Sequence, residues 1–163
     1  MKRLMIALGV VTLAAGAARC GSKSPTTPTN TVIFTVTLLP SNETPPITNG
    51  ENVARGTAVI TVHKDTNVID MNVSVTGFPA GAVLNNAHIH GPNAPAGTPA
   101  GVFVGSGIAG ANFPALVNGA ATFTASPTAS ADQVAQILAN PSQFYFNVHS
   151  VLNGAGVMRG QLQ

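Results

Sequence analysis

From Thr31 onward the chain alternates apolar and polar residues with a period of two, which sets one side of an extended strand toward a core. Val32, Phe34, Val36 and Leu38 alternate with Thr31, Ile33, Thr35 and Thr37, and Pro40 ends this first strand. A second runs from Gly56 to His63, with Ala58, Ile60 and Val62 on one face. Lys64-Asp65-Thr66-Asn67 has the composition of a hairpin turn. The third strand sets Ile69, Met71, Val73 and Val75 against Val68, Asp70, Asn72 and Ser74, until Gly77-Phe78-Pro79-Ala80-Gly81 breaks it. Further strands are predicted over Val83–His90, Val102–Val104, Ala120–Ala125, Gln143–Val151 and Val157–Leu162.

A helical period interrupts this pattern once, between the sixth and seventh strands. Ser130 followed by Gln133 makes a capping box, Asp132 sits in the first turn, and Val134, Ile137 and Leu138 share a face. Asn140-Pro141 stops the helix, which is short enough to serve as a cross-connection over one end of the sheets. Eight short strands with one helix near 130–140 predict an all-β fold, an antiparallel Greek-key β-sandwich or barrel. No internal repeat is apparent.

Composition narrows the class. Charged residues are only 7% of the 163, which excludes both a charged disordered chain and a Glu/Lys-rich helical bundle. The formal charge of +2 is misleading, because Lys2, Arg3 and Arg19 crowd the amino terminus. The remainder holds four bases against five acids. Four scattered cations cannot form a phosphate-binding patch, so nucleic acid is excluded as a partner.

Met1-Lys2-Arg3 and the apolar run Leu4–Ala18 have the plan of an export signal, and the run is shorter than the roughly 20 residues of a membrane span. Cys20, the only cysteine, follows at once, an arrangement that resembles a bacterial lipoprotein signal whose Cys is lipidated; Arg19 stands where such signals usually carry a small residue. Ordinary cleavage near Ala15-Gly16-Ala17 is the alternative, and leaves Cys20 a free thiol on a secreted protein. The expected organisation is a signal peptide over 1–19, a Pro/Ser/Thr-rich tether over 20–30 and one domain over 31–163. Such a chain is exported, with its membrane contact made by a lipid anchor at Cys20 on the periplasmic or cell-surface face. A single cysteine in the leader leaves no internal disulfide, so the core must hold the fold.

The chemistry-bearing residues are the histidines. His88 and His90 form a His-x-His pair on one face of a strand, with Ala87 and Ile89 on the other. In the seventh strand Phe144, Phe146 and Val148 make the apolar stripe, and His149 shares the opposite face with Tyr145 and Asn147. If the two strands are neighbours, His88, His90 and His149 converge on a three-imidazole site suited to copper or zinc. The competing reading has these rings donating to loop carbonyls and locking the Gly/Pro-rich segment after Gly91. His63, beside a turn, is expected on the surface. Arg159 is expected at a sheet edge or donating to buried carbonyls, with a ligand role as the alternative. The sequence offers no catalytic residues: the Cys lies in the leader, there is no Gly-x-Ser-x-Gly elbow, and Glu43, Glu51 and Asp70 stand in no telling context.

Several segments taken in order resemble the CHRD (chordin) domain family: Phe34-Thr35-Val36-Thr37-Leu38 with Asn42-Glu43-Thr44-Pro45-Pro46, Gly56-Thr57-Ala58, Ala87-His88-Ile89-His90-Gly91-Pro92, Phe146-Asn147-Val148-His149-Ser150, and Met158-Arg159-Gly160-Gln161-Leu162. The family usually has Glu two residues before the arginine, where this chain has Val157. The resemblance implies an immunoglobulin-like sandwich or barrel in an extracytoplasmic protein, which in bacteria often stands alone behind an export signal. His88-Ile89-His90-Gly91 also resembles the copper-ligand strand of copper–zinc superoxide dismutase, a Greek-key barrel, but four histidines cannot supply that enzyme's six. The leading expectation is therefore a non-enzymatic binding or structural module of the cell envelope, whose partner is a protein or envelope component. The alternative is a copper- or zinc-binding protein, with redox activity, using His88, His90 and His149.

Overall fold

The computed structural model describes residues 30–163; the leader, Cys20 and most of the tether lie outside the described residues. Eight strands and one α-helix follow in order: β1 Thr31–Leu38, β2 Arg55–His63, β3 Ile69–Thr76, β4 Leu84–His90, β5 Val102–Ala109, β6 Ala121–Ala125, α1 Ala131–Ala139, β7 Tyr145–Ser150 and β8 Met158–Gln161. They form two antiparallel four-stranded sheets, ordered β1-β2-β3-β6 and β5-β4-β7-β8. After β4 and β5 are laid in the second sheet, β6 returns to pair with β3, the long-range return of a Greek key.

The alternation read from sequence decides which side of each strand is buried. Phe34, Val36 and Leu38 of β1, Ala58, Ile60 and Val62 of β2, and Ile69, Met71, Val73 and Val75 of β3 all enter the core. They face Ala87, Ile89, Phe146 and Val148 of the second sheet. The turn between β2 and β3 closes at Asn67, whose φ of 57° a short polar side chain tolerates. Ser130 caps α1 in a complete capping box with Gln133, and Val134 and Ile137 seat the helix on the core.

One strand is longer than its pattern predicts. β5 runs to Ala109 rather than stopping at Val104, because its backbone pairs with β4 at Gly105 and again at Ala109, across a bulge that no apolar alternation marks. At the opposite edge the two sheets approach each other. Leu39 and Arg159 exchange backbone hydrogen bonds of 3.2 and 3.3 Å, and a Cβ on Gly160 would run into the carbonyl oxygen of Thr37. Only glycine allows β8 to lie that close to β1.

The second sheet differs from the first in a way that places the site. Every residue of β7 is buried, on both faces. Phe146 and Val148 meet the other sheet, while Tyr145, Asn147 and His149 are covered by three loops that wrap the outer face. Four polar side chains of that face hold the covering loops: His90 donates to Ala100 O, His149 to Gly154 O, Arg159 to Asn42 O and Gln161 to Ala94 O. Loop carbonyls that lack sheet partners find their donors there.

Candidate metal centre

β4 and β7 are hydrogen-bonded neighbours, with His88 opposite Asn147 and Asn86 opposite His149. The register makes His88 and His149 diagonal partners on one face, and their ring centroids lie 4.7 Å apart. His90 is two residues further along the same face, 5.3 Å from His88 and 5.9 Å from His149 between centroids. The three imidazoles therefore meet, each offering a ligand nitrogen, and these nitrogens all lie within 4.8 Å of one another.

Their hydrogen bonds determine which nitrogens are free. A carbonyl can only accept, so Nδ1 of His90 is protonated and donates to Ala100 O at 2.9 Å. By the same argument Nδ1 of His149 donates to Gly154 O at 3.0 Å. In neutral rings this leaves a lone pair on Nε2 of each. The Nε2 of His90 lies 3.3 Å from Nδ1 of His88. The Nε2 of His149 is buried and has no hydrogen-bond partner among the described residues. One nitrogen of each of these two rings thus fastens a loop, as the loop-locking reading expected, and the other keeps its lone pair.

The rings are held neutral. Burial pushes His88 down to about 4, helped by its neighbours His149 and His90. Burial lowers His90 and His149 as well, against the opposing pull of the Ala100 and Gly154 carbonyls. A stack across three neighbouring strands supports the cluster from one side. The Tyr145 ring lies parallel to His90, 4.8 Å away at 3°, and the Arg159 guanidinium sits 4.6 Å from the tyrosine centroid. The tyrosine hydroxyl accepts from Ala100 N–H, so it steadies the same loop that His90 holds.

A model of the CHRD domain matches residues 34–162. The chain belongs to the CHRD domain family. Comparison with curated proteins and with solved structures finds no match. For a CHRD domain, membership points to a binding or structural module, and the sandwich found here is the architecture the resemblance implied.

Other residues fall differently from expectation. Arg159, itself buried on the edge strand β8, donates to loop carbonyls, through Nε to Asn42 O at 2.7 Å. Nη1 reaches Thr98 O at 3.5 Å and Nη2 bonds the Thr44 hydroxyl. Its acidic neighbour is Glu43, from the loop after β1, at 3.8 Å. Val157, where the family usually has Glu, is buried apolar core. Glu43 and Glu51, read as uninformative, are both buried: Glu51 accepts from Ser150 Oγ and Asn153 Nδ2, each at 2.6 Å. The sequence signals were the rarity of acids in the chain and, for Glu43, its place in the Asn42–Pro46 segment that carries the family resemblance. His63 lies apart on the first sheet, half-buried and 2.7 Å from Asp70.

Proposed function

We propose that this CHRD domain holds a copper or zinc ion through His88, His90 and His149 at the cell envelope. In this reading residues 1–19 export the chain and Cys20 anchors it by a lipid. The observation that carries the metal reading is the partnerless, buried Nε2 of His149 beside two further imidazoles. A buried polar atom without a partner costs about 1–3 kcal/mol, and a metal bond would satisfy it. The two carbonyl bonds to Nδ1 of His90 and His149 are the outer contacts that fix the tautomer of a ligating imidazole. Metal–nitrogen bonds of about 2.0–2.1 Å hold their nitrogens roughly 3–4 Å apart, so a pair at the 4.8 Å limit would have to close by roughly 1–2 Å. The ligand atoms would be Nδ1 of His88 and Nε2 of His90 and His149. For His88 this requires its proton to sit on Nε2.

All three ligands are neutral nitrogens, a set that suits zinc and both oxidation states of copper. The ion would supply Lewis acidity or, as copper, one-electron chemistry. The protein's own contribution is to orient the rings and keep them unprotonated. The test is metal content and affinity of the purified protein against His88→Ala/His149→Ala. One equivalent of copper or zinc in the wild type, absent from a double variant that stays folded, is the expected result. No stoichiometric metal, with a large fall in Tm in the variant, would make the histidines scaffold and turn the search to protein partners. Anchoring is checked separately: mass spectrometry of the membrane fraction should show an acylated Cys20, and Cys20→Ser should release the protein.

A further inference from the structure

The imidazole cluster is closed on one side and open on the other. On the His90 side the ring is stacked on Tyr145 and tied to Ala100, which cover that face of the cluster. On the other side a pocket of about 320 Å³ opens, lined by Asn85, Asn86, His88, Ala109, His149 and Gly154. Two of the three imidazoles form its wall. Asn85 Oδ1 is buried beside the same pocket and has no hydrogen-bond partner among the described residues. Three imidazoles leave at least one coordination position on copper or zinc unfilled.

We infer that this pocket is a binding site for a small exogenous ligand, a water that an anion of two or three heavy atoms can displace, received on the metal and hydrogen-bonded by Asn85. The inference rests on the three-histidine reading above. Asn85 suits the role because its amide carries both donor and acceptor atoms, so it can meet a water hydrogen or a bound anion. The pocket volume admits such a ligand with room for its own solvent. A positively charged ion among neutral ligands favours an anion in the last position. On exchange the anion donates a lone pair to the metal and the water leaves, with no change in oxidation state.

Gly154 provides a way to test the pocket without replacing a metal ligand, since its bond to His149 is made by the backbone carbonyl and is kept in any variant. Its φ lies outside the left-handed region, and a Cβ there meets nothing within 4 Å, so a larger side chain is accommodated without backbone strain. The experiment uses the whole protein loaded with Cu(II) and titrated with azide. Electron paramagnetic resonance reports the nitrogen donors, and absorption reports the azide-to-copper charge-transfer band. Wild type should show coupling to three nitrogens and a saturable azide band. Gly154→Leu and Asn85→Leu should keep the three-nitrogen signal and bind azide about tenfold more weakly or worse. A three-nitrogen copper signal that azide leaves unchanged would overturn the open position while the metal reading stands. Undiminished azide binding in both variants would overturn the assignment of the pocket. Failure to bind copper would overturn both readings together.

Discussion

Replacing Arg159 by alanine is expected to destabilise the domain by about 3–5 kcal/mol at pH 8, the cost of breaking a buried pair from one side. The guanidinium is buried, donates to Asn42 O, Thr98 O and Thr44 Oγ1, and lies over the Tyr145 ring. Its removal leaves the loop after β1 and the loop before β5 without their shared donor. It also leaves Glu43 buried with no counter-charge. Burial already pushes Glu43 up to about 7, and Arg159 only partly offsets this. The geometry explains the weak offset: the arginine's donors are spent on carbonyls and a hydroxyl, the carboxylate stands 3.8 Å away, and Glu43 Oε1 has no partner.

The same facts give the prediction a pH signature. Without Arg159 the Glu43 carboxyl can escape its penalty by taking up a proton, which is easier at pH 6 than at pH 8. Urea unfolding of Arg159→Ala should therefore show a smaller loss at pH 6. Adding Glu43→Gln to the variant should recover part of the loss at pH 8 and little at pH 6. A loss below about 1 kcal/mol, or one equal at both pH values, would mean that the pair behaves as a surface contact.

The strands and the parity of their faces were legible in the sequence because apolar alternation directly records which side of a strand is buried. That record put His88, His90 and His149 on outward faces, and the neighbouring of β4 and β7 then brought them together. What the pattern could not show is that this outward face is itself covered. The cover comes from loops rich in Gly and Pro, which have no period to read. Glu43 and Arg159 meet across 116 positions, and no local rule links a loop acid to a strand arginine at that distance. Tyr145 is a similar case. Its position on the polar face was apparent, but its stacking between His90 and Arg159 depends on three strands assembling in one order. The extra residues of β5 escaped because they bulge between the pairs at Gly105 and Ala109, which breaks the period-two signal.

Acidifying the metal-free protein from pH 7 toward pH 4 should destabilise it, and the histidine cluster is the cause. His88 is held down to about 4 from an ordinary value of 6.5, and His90 and His149 are shifted in the same direction. Between those limits the unfolded chain binds protons that the folded cluster refuses, so stability is full above pH 6.5 and is lost as pH falls through the window. Glu43 opposes this. Its folded carboxyl keeps a proton up to about 7 that the unfolded chain releases near 4.5, so its contribution falls as pH rises through that range. His88 and Glu43 are shifted by similar amounts in opposite directions, so in the wild type the loss in acid is the share expected from His90 and His149, and the full loss is expected once Glu43 is replaced. His88 alone should account for about 1–2 kcal/mol after allowance for screening at a half-buried ring. Glu43→Gln removes the opposing group and should steepen the loss. Stability measured by urea at pH 7 and pH 5 in the presence of a chelator checks both statements. Zinc or copper added at pH 5 should restore the lost stability by mass action, because only the folded cluster gathers the three nitrogens. Stability that stays flat between pH 7 and pH 5, in wild type and Glu43→Gln alike, would show that the imidazoles titrate as exposed groups and are not kept neutral for a metal.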